Sequence, residues 1–290
     1  MASRLQLRVL RTILDAIETL AREMWPLFRI YVVPWLGWTL ALLAINRVWL
    51  LYGGIALSPD LVMAMLFAPF GAAIAVTALR WMMQPRDEFR WWRLDQTWLW
   101  TTALFALIGV VNFGITQASY SFAMANADTV IAGTQADSTP GQRLAWIVVG
   151  LLPGWIATLL AFLVLMPQVA VIVETGSPSL KREWELMRLA PWSILGVAVL
   201  IGICRLGLSF GYASVVYRLY TSDGPFAGDV YGWTYDVIAG LWHALIALPA
   251  QFLTDALALV ALARVYKALA GYADRRGSAT MPRAKLENSR

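Results

Sequence analysis

The sequence predicts an all-α, polytopic helical membrane protein with about six transmembrane helices plus amphipathic interfacial helices. Three observations carry this. Charged residues make up only 14% of the 290 and hydrophobic residues 59%, whereas soluble domains run near one quarter charged. The apolar residues fall into blocks of about 20 or more, the length that crosses a hydrocarbon core of about 30 Å. The basic residues collect between alternate blocks, which is the pattern of a chain threaded through a membrane.

The first element is residues 4–24. Arg4, Arg8, Arg11, Asp15, Glu18 and Arg22 recur at spacings of four and three, with Leu10, Ile13, Leu14, Ile17, Leu20 and Met24 on the opposite face. The segment is too polar to span. It lies along the cytoplasmic interface with arginines near anionic headgroups, or it docks on the protein's own cytoplasmic face; the sequence leaves both open. Asp15, Glu18 and Glu23 interrupt any signal-peptide core, so the segment is expected to stay in the mature chain.

Six apolar spans follow, near 27–51, 59–80, 97–122, 144–173, 192–217 and 237–266. Pro34, Pro69, Pro153, Pro167 and Pro249 lie inside them, where neighbouring helices can satisfy the freed carbonyls. The organisation is therefore an amphipathic helix over 1–25, a six-span bundle over 26–272 and a disordered basic tail over 273–290. One side of the membrane carries 19 of the 23 Lys and Arg, in the N-terminus, the 80–96 loop, the 174–190 loop and the C-terminal tail. The other side holds only Arg47, Arg143, Arg205 and Arg218, with loops 123–142 and 219–236 acidic or neutral. Both termini of this multi-pass chain are then cytoplasmic. Trp25, Trp81, Trp91, Trp92, Trp98, Trp146, Trp192 and Trp233 lie near span ends, as an interfacial belt does. Membrane lipids are the expected partners, with other membrane proteins or a second copy of the chain as further ones. Nucleic acid is not expected, because no soluble platform presents the rings.

A pattern recurs along the chain. "AREMWPLFRIYVVPWLGW" leads into the first span and "WELMRLAPWSILGVAVLIG" into the fifth, with "PRDEFRWWRLDQTWLWTTALF" a weaker third copy before span three. Three units, each an interfacial helix plus a transmembrane hairpin, account for it. Such repeats are common in transporters and also arise in proteins that move nothing.

"PSLKREWELMRLAPWSILGVAVLIGI", "RWMMQPRDEFRWWRLDQTWLW" and "ALALVALARVYKAL" resemble segments of a family of uncharacterised bacterial six-span inner-membrane proteins. That family is similar to the membrane domain fused to some glycerophosphodiester phosphodiesterases. The resemblance covers most of residues 5–270 and implies location and architecture, not phosphodiester hydrolysis. A single histidine cannot supply that enzyme's acid and base histidines.

The candidate site lies inside the membrane. Arg205 is ~21 Å along span five from Pro191, and Asp255 is ~18 Å from Lys267 at the inner end of span six, at ~1.5 Å per residue. The two spans are consecutive and antiparallel, so an Arg205–Asp255 ion pair is predicted. Ser209 shares a helix face with Arg205, Gln251 shares one with Asp255, and Asn112 in span three sits at similar depth. These five residues form a predicted polar cluster, read either as a path for a proton, ion or solute or as a network that fixes helix packing.

Other chemistry is thin. One Cys and one His exclude His/Cys metal clusters and a disulfide framework, and no cofactor is expected. No phosphate-binding loop, dinucleotide fingerprint or hydrolase motif is present. His243 and Cys204 read as packed residues. Asp87, Glu88, Asp95, Glu183 and Glu185 offer carboxylates at the cytoplasmic interface, but they sit among arginines. The sequence therefore favours a non-enzymatic scaffold, accessory or envelope-associated membrane protein. A small transporter or channel using the Arg205/Asp255/Asn112 cluster is the first alternative, and a lipid-modifying enzyme at the interface the second.

Overall fold

The computed structural model describes residues 9–52, 59–87, 89–125, 139–142, 166–220 and 237–280. Among them there is no strand, and the chain is an all-α polytopic membrane protein. Its helices are α1 (Val9–Arg22), α2 (Met24–Tyr52), α3 (Pro59–Met83), α4 (Gln96–Ala125), α5 (the helical stretch 166–175), α6 (Leu180–Met187), α7 (Pro191–Tyr220) and α8 (Val237–Thr280). Four segments are long and apolar enough to cross a membrane: Met24–Ile45, Met65–Met83, Gln96–Ile115 and Ala244–Ala273. A fifth counts if α6 and Pro191–Cys204, bent 94° from each other, make one span. The sequence predicts six. Most of its fourth span, 144–173, lies outside the described residues, with α5 as its described end.

Helix ends follow local chemistry. Pro59 and Pro191 open α3 and α7 at the position where a missing N–H costs nothing. Asp95 caps α4, its carboxylate accepting from the Trp98 amide at 3.2 Å. Ser179 caps α6 in the same way, accepting from the Arg182 amide at 3.3 Å. Gly176 ends α5 at φ +79°, with its N–H donated to the Ile172 carbonyl at 2.8 Å. That backbone shape disfavours any side chain.

α8 is the hub. It packs against α1, α2, α3, α6 and α7, while α4 leans on α3. Val260, Ala261 and Ala263 are fully buried on it, and small side chains let several neighbours approach one helix. Gly71 does the same between α3 and α4, where an added Cβ would meet Phe67 at 2.8 Å and Phe105 at 3.1 Å. Among the described residues, the largest fully buried side chains include Ile30, Leu79, Val169, Val171, Ile172 and Val260.

The structure decides one point that the sequence leaves open and departs from the sequence reading at two others. First, α1 docks: Ile13, Ala16 and Leu20 are buried against α7 and α8, while Leu10, Leu14 and Ile17 of the same predicted apolar face stay exposed. Second, residues 84–87 and 89–95, which include the charged start of the weak third copy of the repeat, are not helical, with Trp92 at φ +40°. Pro85 cannot continue α3, and Asp95 starts the next helix as the cap of α4. Third, α8 continues to Thr280, so 273–280 of the predicted disordered tail are helical and 281–290 lie outside the described residues. Its extension is alanine-containing and meets no proline before Pro282.

Candidate functional site

The sequence-predicted cluster resolves into a polar seam between the first and last spans. Gln251 and Asp255 are one turn apart on α8, and Tyr31 and Trp35 are one turn apart on α2. The Tyr31 hydroxyl donates to Asp255 Oδ2 at 3.0 Å, and Trp35 Nε1 donates to Gln251 Oε1 at 2.8 Å. The rungs run in opposite numerical order, as antiparallel helices require. Both donors are buried, Tyr31 at 4% exposure and Trp35 at 4%. Phe252 sits edge-on between the Phe28 and Tyr31 rings, with centroids 5.4 Å and 5.6 Å away, and closes the apolar side of the seam. Asp255 is half-buried, whereas Gln251 is exposed.

The remaining predicted members are placed differently. Arg205 and Ser209 lie on α7, which packs on α8, but their side chains, and with them the predicted Arg205–Asp255 pair, fall outside the described residues. Asn112 is half-buried on α4, which packs on α3 rather than on α8. Among the described residues, the seam thus holds Gln251 and Asp255 of the predicted set. Tyr31 and Trp35 escaped the sequence reading. Their four-residue spacing, matched to that of Gln251 and Asp255, was the available signal.

A second group of polar contacts ties the arginine-rich end together. Arg86 donates to Glu23 Oε1 at 2.6 Å and stacks 5.1 Å from the Trp81 ring centroid, while Trp81 Nε1 donates to Glu23 Oε2 at 3.1 Å. The turn after α3 is thereby fixed to the α1–α2 junction. Arg80, 8% exposed, pairs with Asp95 at 2.6 Å, and Arg93 reaches the same carboxylate at 3.3 Å. Burial pushes the Asp95 carboxyl up, but the Arg80 and Trp98 hydrogen bonds and both guanidinium charges outweigh it and hold it below the usual carboxylate range. Arg264 donates to Thr19 Oγ1, joining α8 to α1. The Tyr266 hydroxyl donates to Glu174, which also pairs with Arg182 at 3.4 Å.

Glu183 is the odd member. Its side chain is 5% exposed on the docked face of α6 and accepts from Gln168 Nε2, while Gln168 Oε1 accepts from the Ser179 amide at 3.2 Å. Glu183 Oε1 is buried without a hydrogen-bond partner. Burial pushes this carboxyl above its ordinary range, and the Gln168 hydrogen bond offsets only part of that. Of the other interfacial carboxylates, Asp87 is exposed, Glu185 is half-buried, and Glu88 lies outside the described residues. Among the described residues, no group of three or more His, Cys, Asp and Glu is placed to hold a metal ion.

Helices of spanning length, cross-linked by polar side chains around a central last helix, define a polytopic helical membrane protein. Compared with protein-family models, curated proteins and solved structures, the chain finds no match in any of the three.

Proposed function

We propose that the protein is a scaffold or accessory component of a bacterial inner membrane, multi-pass, with both termini cytoplasmic and no catalytic role. One observation carries this reading: five side-chain hydrogen bonds of the described bundle join one helix to another. Tyr31–Asp255, Trp35–Gln251, Thr19–Arg264, Glu174–Tyr266 and Gln168–Glu183 each connect two different helices. The carboxylates of Asp255, Glu174 and Glu183 each accept a hydrogen bond from a side chain of another helix, which supports a joining role for them. Gln251, an exposed residue whose Oε1 accepts from Trp35, supports a partner for the rest of its side chain as well. It lies ~24 Å along α8 from Lys267, within the span, where a polar group exposed to hydrocarbon is costly and interhelical hydrogen bonds act as glue. A neighbouring membrane helix would satisfy it. The excess of 19 Lys and Arg at one end supports the orientation.

The experiment is purification of the full chain from its native membrane within native lipid, followed by identification of what co-purifies. A membrane protein recovered in a fixed ratio, and lost on Gln251→Leu, is the expected result. Recovery of the chain alone, with solute flux in reconstituted vesicles, would overturn the scaffold reading. That second outcome belongs to the transport alternative, which the same exposed Gln251 beside the half-buried Asp255 favours.

A further inference from the structure

Segments 10–20 and 180–190 share a surface, position by position. "LRTILDAIETL" and "LKREWELMRLA" align at an offset of 170 without a gap. The pairs Leu10/Leu180 and Leu14/Trp184 are exposed, Ile13/Glu183, Ala16/Leu186 and Leu20/Ala190 are buried, and Arg11/Lys181 and Glu18/Arg188 are exposed. The half-buried pairs Thr12/Arg182 and Asp15/Glu185 match too. Burial differs only at Ile17/Met187 and Thr19/Leu189.

On a helix at about 100° per residue, positions 10, 14 and 17 span an arc of about 60°. Positions 13, 16 and 20 fill the next such arc, and positions 11, 15 and 18 another on the far side of the first. Residues 10–20 therefore have a docked row, an exposed apolar row and a charged row, in that order round the axis, and Leu180–Met187 repeats it over its two helical turns, with Arg188 as its C-cap. An ordinary surface helix has two faces, one docked and one solvated. A third, apolar and uncovered row is what a helix needs when it lies flat beside a bundle with acyl chains beneath it. The rows are not small: Leu10 is 67% exposed, Leu180 77% and Trp184 70%.

Two further observations say what covers these rows. They are continuous with the outer surface of the spans, through exposed Met24 and Trp25 after α1 and exposed Trp192 after α6. The sequence segments that lead to that end (1–29, 80–96, 174–190 and 264–290) carry 19 Lys and Arg against 11 Asp and Glu, and four of those acids are already ion-paired: Glu18 with Arg22, Glu23 with Arg86, Asp95 with Arg80 and Arg93, and Glu174 with Arg182. The fit is to an apolar layer under an anionic one.

We infer that segments 10–20 and 180–190 are a duplicated pair of lipid-clasping helices. Their Leu10/Leu14/Ile17 and Leu180/Trp184 rows seat in the acyl region of the leaflet at the basic end. Arg11, Arg22, Lys181 and Arg188 hold anionic phospholipid headgroups above it. The inference rests on membrane placement and stands whether the bundle scaffolds or transports. It separates from the proposed function because depth in a bilayer is read without any partner or solute.

The test uses the full chain with Cys204→Ser, reconstituted in vesicles of phosphatidylcholine and phosphatidylglycerol. Single nitroxide labels at Leu10→Cys, Leu14→Cys and Leu180→Cys are compared with labels at Arg11→Cys and Lys181→Cys. The apolar-row labels are expected to collide with oxygen and to be shielded from a water-soluble nickel relaxant, and the charged-row labels the reverse. Nickel access at the apolar row equal to that at the charged row overturns the inference. So does protection from both relaxants, which means a second copy or another protein covers the row. The headgroup half is read from spin-labelled phosphatidylglycerol held at the protein surface. Its preference over phosphatidylcholine is expected to be about threefold or more and to fall to about one when the four basic residues become Gln. No preference in the unmodified chain overturns that half.

Discussion

Tyr31→Phe isolates the seam with little disturbance to packing. The substitution removes only the hydroxyl that donates to Asp255 Oδ2 at 3.0 Å and keeps the ring 5.6 Å from Phe252. Hydrogen bonds to charged groups contribute about 1.5–3 kcal/mol in soluble proteins. Inside membrane bundles interhelical bonds average about 0.6 kcal/mol and reach about 1.7 kcal/mol. Tyr31 is 4% exposed, so water replaces the lost donor poorly, and the expected cost is about 1–1.5 kcal/mol. Asp255→Ala combined with Tyr31→Phe then shows a coupling energy of about 1 kcal/mol in a double-mutant cycle. Trp35→Phe weakens the second rung by a similar amount. The rungs lie one turn apart, so the pair of substitutions is not additive. Equilibrium unfolding in mixed micelles, followed by tryptophan fluorescence, measures each term. A Tyr31–Asp255 coupling below about 0.3 kcal/mol refutes the claim that this contact holds the first span to the last.

Other perturbations follow from the same geometry. Asp95→Ala uncaps α4 and strands the buried Arg80, a loss of about 2–4 kcal/mol by equilibrium unfolding. Because the folded Asp95 pKa is lowered, its contribution is present above the ordinary value of about 3.9 and fades as pH falls through the lowered one; Asp95→Asn flattens that acid limb. Glu183 has the opposite sign. Its folded pKa is raised, so its contribution is full below about 4.3 and is lost as pH rises through the raised value, and Glu183→Gln removes this decline from a pH series of unfolding midpoints. At Gly196 an added Cβ would lie 3.1 Å and 3.2 Å from the Val9 methyls. Gly196→Leu therefore lifts α1 at a cost of about 1–3 kcal/mol and speeds proteolysis of its linkage, while Gly207→Leu, with nothing within 4 Å, does neither.

Helix positions were legible because bilayer thickness dictates block length: α2, α3, α4 and α7 begin within a few residues of the predicted spans. The break between α3 and α4 was not, since its arginines and aromatics mimic an amphipathic pattern while Pro85 stops α3 and Asp95 caps α4. Asp255 and Gln251 were legible as an intramembrane polar face, because charge within a span has no neutral explanation. Their partners Tyr31 and Trp35 were hidden by chemistry. A tyrosine and a tryptophan near a span end read first as interfacial belt residues, and only the packing of α2 on α8 turns them inward. Glu183 was hidden by its company, a short run with Lys181, Arg182 and Glu185 that looks solvated in one dimension. Its counterpart Ile13 in the repeat betrays the buried row, but only once the exposure of both segments is compared.

The central claim is that the polar seam binds helices together and does not line an aqueous path. Gln251→Cys in a Cys204→Ser chain, reconstituted in vesicles, tests it with a charged, membrane-impermeant thiol reagent applied to each side. The claim predicts no labelling from either side, with Lys267→Cys on exposed α8 surface labelled as an aqueous control. Labelling of Gln251→Cys at a rate near that of the control would contradict it and make the seam a water-filled route.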